Sequence, residues 1–457
     1  MHVLRFSLPN ARSGVHPRIA AILRWLPGVL LIAWVLTLPL EFTKLFFPNQ
    51  AIEVSRIVLV LCILTFACQV IVERREVRIP ASASVLGLAL ITVYSTASAA
   101  AVGSVQGTKT AFAMIAYLLM MLTVFNWTQS FADHRRIWSA LAVTAVGLSV
   151  VGLIFHATSF YIWNEPNAGV LRVNATFRDP NIFARFLAFS MLTMVVLAAD
   201  LDVTLRQRAL WVGAALVSAV VIAFTYSRAG WGFTLVTAVA VIALARRRRR
   251  ALALVGLLVA AFAVVALIDP SVLSRAALLA ENLQAPFNNR AFIDRAPWLQ
   301  FLNYLPVDSV RQYLIGAGLI MFADHPIFGI GFGAFSQALA GGAYAGLVPP
   351  GVATTASHTS LVTIVAESGV VGLALVLLTG FFFVRSMVRG GFQSPLERTL
   401  VLAPVVGLML VVLDSQFSGR FFDESYLWLF LGLAYSARAG LRDASITLPR
   451  AARAEVA

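Results

Sequence analysis

With 457 residues, 60% of them hydrophobic and 12% charged, and a mean hydropathy of +0.85, the chain is not an ordinary soluble domain. Its net charge of +14 would suit nucleic acid, but the basic residues fall in the links between apolar runs. They form no folded basic face and carry no aromatic stacking motif, so no nucleic-acid partner is expected.

The apolar runs, about 17–25 residues each, match the thickness of a bilayer core, whereas a β-barrel would show short alternating segments. The composition therefore predicts an all-α polytopic membrane protein, with membrane lipids as its surroundings. At the N-terminus Arg5, Arg12, Arg18 and Arg24 precede the first apolar run, and no small-residue cleavage site follows. That is the pattern of a retained signal-anchor. Twelve spans are expected, at about 26–42, 52–72, 81–101, 110–126, 137–157, 181–200, 209–226, 229–245, 251–268, 358–384, 399–417 and 424–437. Residues 1–268 thus hold spans 1–9, 269–357 form one large link, 358–437 hold spans 10–12, and 438–457 are a tail. Cys62 and Cys68 share one apolar span, too few and too deep for a disulfide framework, and no Cys/His metal pattern is present.

With the N-terminus in the cytoplasm, 23 of the 35 basic residues fall on the inner side. The asymmetry predicts cytoplasmic termini and places the 269–357 link outside. The Arg246–Arg250 run reads as a cytoplasmic stop signal between spans 8 and 9. In the large link, apolar residues at helical spacing (Leu314, Leu319, Ile320, Phe322) are broken by prolines and glycines. Short amphipathic helices, lying against the outer leaflet or capping the bundle, are expected there. A long connection of this kind tends to carry function.

Arginines on the outer side run against the charge bias, so each needs a reason. Arg172, Arg178 and Arg185 cluster around span 6, Arg228 sits in the SRAG turn between spans 7 and 8, and Arg420 lies in the last outer link. Arg275, Arg290, Arg295 and Arg311 belong to the large link. Guanidinium forks bind phosphate oxygens bidentately, and several converging at the outer surface would suit a lipid diphosphate. The alternative is that they anchor helices at headgroup phosphates. Of the histidines, only His325 and His358 lie in the outer segment. His358 heads span 10, where the helix dipole favours a neutral ring able to accept a proton. Counted at 100° per residue from His358, Val362, Val365, Gly369 and Gly372 share its face. Glu367 then falls opposite and reads as a polar anchor to another helix. In GIGFGAF, Gly329, Gly331 and Gly333 fit a tight turn better than a phosphate cradle. Asp179-Pro180-Asn181 looks like a helix start, with Asn181 and Arg185 on one face, and Asp414 is a buried acid without an assignable partner.

Four of these stretches together resemble the O-antigen ligase and polymerase (Wzy-C) superfamily. They are Arg311 followed by HPIFGIGFGAF, with His325 fourteen residues on; His358 with Gly369 and Gly372; TYSRAG around Arg228; and TFRDPNIFARFL around Arg178 and Asn181. Thr359 departs from the residues usual after the histidine, and Arg275–Leu279 and Arg295–Leu299 both fit the family's Arg-x-x-x-Leu element. The resemblance implies a GT-C-like membrane glycosyltransferase that needs no metal or other cofactor. Its donor would be a glycan on undecaprenyl diphosphate, and it would work at the periplasmic face of the bacterial inner membrane. It implies His358 and Arg311 as catalytic, and Arg228, Arg311, Arg178 and Arg295 as diphosphate-binding. Asn181, Arg172, His325, Gly369 and Gly372 would support them. The acceptor would be lipid A-core for a ligase or a growing glycan for a polymerase. The His358 pattern leans to the ligase. A protein oligosaccharyltransferase remains open within the superfamily, and a transporter outside it.

Overall fold

The computed structural model describes residues 2–6, 17–40, 53–160, 162, 172–274, 294, 296–304, 309–341, 343–349, 357–419 and 421–440. Its helices follow the expected spans: α1 (Pro17–Thr37), α2 (Val54–Glu73), α3 (Ala83–Ala101), α4 (Val105–Trp127), α5 (Phe131–Thr158), α6 (Pro180–Asp200), α7 (Leu205–Phe224), α8 (Arg228–Leu244) and α9 (Arg248–Ile268). The large link contributes a 3-10 helix (Pro297–Tyr304), α10 (Ser309–Asp324) and α11 (Phe335–Gly341). The chain then returns through α12 (Ser360–Val388), α13 (Pro395–Ser418) and α14 (Ser425–Arg438). Among the described residues ten helices, not the twelve expected, are long and apolar enough to cross a membrane; α8, with 17 residues, and α14, with 14, are shorter. The protein is therefore an all-α polytopic membrane protein. Its first helix begins at Pro17, well before the apolar run that announced it, and Arg24 within that early stretch pairs with Glu73 of α2 at 3.0 Å.

The links are short because side-chain caps stop and restart the helices. Ser104 accepts from Gly107 N, Thr204 from Gln207 N, and Ser227 from Gly230 N. Ser130 and Asp133 form a reciprocal capping box at α5. Before α6, Asp179 caps the helix and Pro180 occupies its first turn, as its sequence predicts.

Helix α6 is the axis of the bundle. Every residue in its membrane-crossing window is buried, and it is apolar around its circumference, as a helix enclosed by others should be. It packs against α5, α7, α8, α9 and α13. Phe183, Phe186 and Phe189 pass its aromatic packing on to Phe177, Tyr426 and Phe430. At one end of the bundle a two-stranded antiparallel sheet pairs β1 (Val3–Phe6) with β2 (Val77–Pro80). Asn126 holds β2 by accepting from Arg78 N and donating to Arg78 O, both at 2.8 Å.

The large link packs around its own apolar core. Leu299, Leu302, Leu314, Ile320, Met321 and Phe335 bury one another against Ala366 of α12. Of the apolar residues at helical spacing, Leu314, Leu319 and Ile320 thus face protein.

Candidate functional site

A cavity of about 850 Å³ opens where α6 and α8 begin, α13 ends and the large link meets α12. Arg172, Arg178, Asn181, Arg311 and His358 all line it, although they come from stretches far apart in the chain.

The arginine segment is fixed from below. Val173 N donates to Phe224 O at 3.0 Å, docking residues 172–177 on the end of α7. Arg172 is buried, and its Nε donates to Thr225 O at 2.9 Å while Nη2 donates to Asn181 Oδ1 at 2.8 Å. Its guanidinium therefore braces the start of α6 against the turn that precedes Arg228. Arg178, six residues further on, is exposed at the cavity. Arg311, in the first turn of α10, is half-buried and lies over the Phe417 ring at 5.5 Å from its centre. Two cationic side chains thus reach the cavity from distant parts of the sequence.

His358 stands just before α12, with Thr359 at the N-cap and the first helical residue at Ser360. Its backbone φ of 56° is left-handed, uncommon for a residue with a side chain. Buried Ser357 holds this turn: its hydroxyl donates to Thr359 O at 2.7 Å and accepts from Thr359 N at 3.2 Å. Gly419, the left-handed C-cap of α13, lies behind it, and a Cβ at that position would sit 3.1 Å from His358 Cα. Ser360 Oγ donates to Ser415 Oγ at 2.7 Å and Leu361 N to Gln416 Oε1 at 3.2 Å, tying the start of α12 to the end of α13.

The helical face counted from His358 does not exist as a continuous stripe. Helix α12 starts two residues later and breaks at Gly369, whose φ of 60° and ψ of −161° are non-helical. The HPIFGIGFG loop inserts into that break. Ile330 N and Gly331 N donate to Ala366 O and Glu367 O at 2.9 and 3.0 Å, while Val370 N and Val371 N donate to Pro326 O and Ile327 O at 2.8 and 3.2 Å. The backbone groups freed by the break are thereby paired within the protein, the condition under which a spanning helix tolerates interruption. The loop glycines serve close approach: a Cβ on Gly329 would lie 2.3 Å from Glu367 C, and one on Gly333 2.2 Å from Gly107 Cα. Glu367 is the polar anchor its isolation implied, but to the loop: Oε2 accepts from Gly333 N at 2.8 Å and Oε1 from Phe335 N at 3.1 Å.

Other expected residues lie elsewhere. Arg228 opens α8, and its neighbour Ala229 lines the cavity. His325 is exposed beyond the end of α10 and is not part of the lining. Gly369 and Gly372 act beneath the site, at the break, with Gly372 against Ser368. Arg295 lies outside the described residues. The partner of Asp414 is Arg185, whose Nη1 contacts Asp414 Oδ2 at 3.0 Å while Nη2 pairs with Glu424 Oε2. The shared face of Asn181 and Arg185 and the buried acid Asp414 each hinted at this cluster, but not at the pairing between them. Among the described residues no group of three His, Cys, Asp or Glu side chains is placed to hold a metal ion.

The family model described as O-Antigen ligase (Wzy_C) matches residues 213–377. No curated protein matches the chain. The matched region runs from α7 to beyond the break in α12 and contains Arg228, Arg311, His358 and Glu367. It agrees with the resemblance carried by the motifs around Arg228, Arg311 and His358, and the stretch around Arg178 and Asn181 lies outside it.

Proposed function

We propose that the protein transfers a polysaccharide from an undecaprenyl-diphosphate carrier to an acceptor hydroxyl, with lipid A-core as the acceptor. The observation that carries this reading is the convergence of Arg178, Arg311 and His358 on one cavity at one end of a membrane bundle. The anomeric carbon of such a donor is already activated, because a lipid diphosphate leaves well once its charge is held. Arg311 and Arg178, which line the cavity, stabilise the charge that develops on the diphosphate, and Arg228, next in the chain to the lining residue Ala229, is proposed to assist them. His358 takes the proton of the attacking hydroxyl. The acceptor oxygen bonds to the anomeric carbon as the carbon–oxygen bond to phosphate breaks, releasing undecaprenyl diphosphate. The rest of the cavity holds two large amphiphiles in one orientation. No metal or other cofactor enters this scheme.

The termini are assigned to the cytoplasm of the inner membrane and the cavity to its periplasmic face. The basic links support that orientation: Arg247 pairs with Asp202, and Arg438 with Glu397, at the end of the bundle remote from His358.

The test is complementation. A strain lacking the gene is restored with wild type, His358→Ala or Arg311→Ala at matched membrane levels, and surface glycolipid is separated on a gel. Loss of polymer from lipid A-core, with full-length polymer retained on the carrier, is expected for both variants. Accumulation of single repeat units would make the protein a polymerase. Wild-type pattern from both variants would refute the catalytic assignment.

A further inference from the structure

We propose that Glu367 is a positioning residue for the transfer: its carboxylate latches the 329–335 loop into the break of α12 and so sets His358 relative to Arg311. This inference rests on the reading given above. His358 stands just before the short first piece of α12, from Ser360 to the break at Gly369, whereas Arg311 is carried by α10, whose C-terminal end runs directly into the loop. Apart from the apolar packing of α10 on Ala366 and the backbone pairs of the loop, two contacts among the described residues bear on how these pieces sit. One is the close packing of α10 on α12 at Gly318, where a Cβ would lie 2.5 Å from Val362 Cγ1. The other is the latch, in which one side chain accepts from Gly333 N at 2.8 Å and from Phe335 N at 3.1 Å.

The backbone pairs from Ile330 and Gly331 to α12 already close the loop on the helix. The carboxylate adds the placement of the next stretch, Gly333 to Phe335, which forms the cavity wall and starts α11. Glu367 itself is buried and lies in the lining of the same cavity. An acceptor with two equivalent oxygens is required there. Glutamine keeps the size but turns an N–H donor against one of the two backbone N–H groups. Placement matters because a reacting group displaced by about 1 Å can lose about 100-fold in rate.

The experiment uses purified full-length protein, polymer-bearing undecaprenyl diphosphate extracted from the deletion strain, and lipid A-core as acceptor. Glu367→Gln is expected to lower kcat by about 10- to 100-fold while donor KM changes by less than about threefold. Glu367→Asp, which keeps both oxygens, should recover part of the loss. His358→Ala combined with Glu367→Gln should be no slower than His358→Ala alone, because a residue acting through His358 has nothing left to position. Glu367→Gln turnover within about threefold of wild type would overturn the proposal. So would losses that multiply in the double variant, or a loss matched by a fall in folded protein. If His358→Ala alone is fully active, the transfer mechanism fails instead, and the two failures are told apart.

Discussion

Gly369→Ala isolates the break in α12 from everything else in the helix. At φ 60° and ψ −161°, Gly369 occupies a backbone region essentially reserved for glycine, so a side chain there costs about 1–3 kcal/mol in strain. The new Cβ would stand 2.3 Å from Ile327 O, a backbone atom that can yield only if the inserted loop withdraws. Withdrawal lengthens the bonds from Val370 N to Pro326 O and from Val371 N to Ile327 O, now 2.8 and 3.2 Å. At about 0.5–1.5 kcal/mol each, their loss brings the total to about 2–6 kcal/mol. Gly380 lies further along the same helix, and a Cβ there would meet nothing within 4 Å, so Gly380→Ala should gain roughly 0.5–1 kcal/mol. Thermal unfolding of both variants in detergent reads the difference, and the gel assay reads whether activity follows it. If Gly369→Ala melts with Gly380→Ala and transfers normally, the break is not a structural requirement and the reasoning fails.

Two further outcomes follow from the charge pairs. Arg185→Met leaves Asp414 and Glu424 facing one another in a buried site, at a cost of about 3–5 kcal/mol, whereas Asp414→Asn keeps one partner for Arg185 and should cost less. Equal melting temperatures for Arg185→Met and wild type would refute this. At the other end, the Arg247 guanidinium beside Asp202, hydrogen-bonded to it at 2.6 and 2.9 Å, holds that carboxyl below its ordinary value of 3.8. The stabilisation is therefore in place above that value and lost as the pH falls through the folded one. Asp202 is more than half exposed, so Asp202→Asn should cost no more than about 0.2–1 kcal/mol at neutral pH, less in high salt, and nothing in strong acid. A penalty that persists in strong acid would contradict that assignment.

The helices were legible because a bilayer demands length and apolarity, and both are local properties of the sequence. Cavity membership was legible in part for a different reason: arginine on the unexpected side of a membrane helix is rare enough to need a cause, and Arg172, Arg178 and Arg311 do line one cavity. What each guanidinium holds was not legible. Arg172 spends its fork on Thr225 O and Asn181, a pairing set by how residues 172–177 fold back on α7. The break at Gly369 was missed because the run from Ser360 to Val388 is apolar almost throughout and reads as one helix. Its signal lay in two motifs read separately: glycines that looked like a turn in one, and an isolated glutamate in the other. They are the two halves of a single contact.

The placement of charged groups along the bundle also bears on the choice between transfer and transport. Helix α6 carries Arg185 near one end and Asp200 at the other, with no charged residue between them. Asp200 accepts from Arg246 N and Arg247 N, both at 2.9 Å, so it is used up as a brace between links. In α13, Glu397 and Arg398 lie at the start and Asp414 near the end, and the charge on α14 is Arg438, at its last residue. A transporter holds its polar groups near the midplane, on broken helices that open to either side in turn. Here the broken helix, α12, is interrupted beside the cavity, and the break is filled by a loop from the large link. The interruption therefore shapes a site at one face of the bundle, and in the proposed reaction the donor diphosphate and the acceptor hydroxyl would meet there without either crossing the membrane.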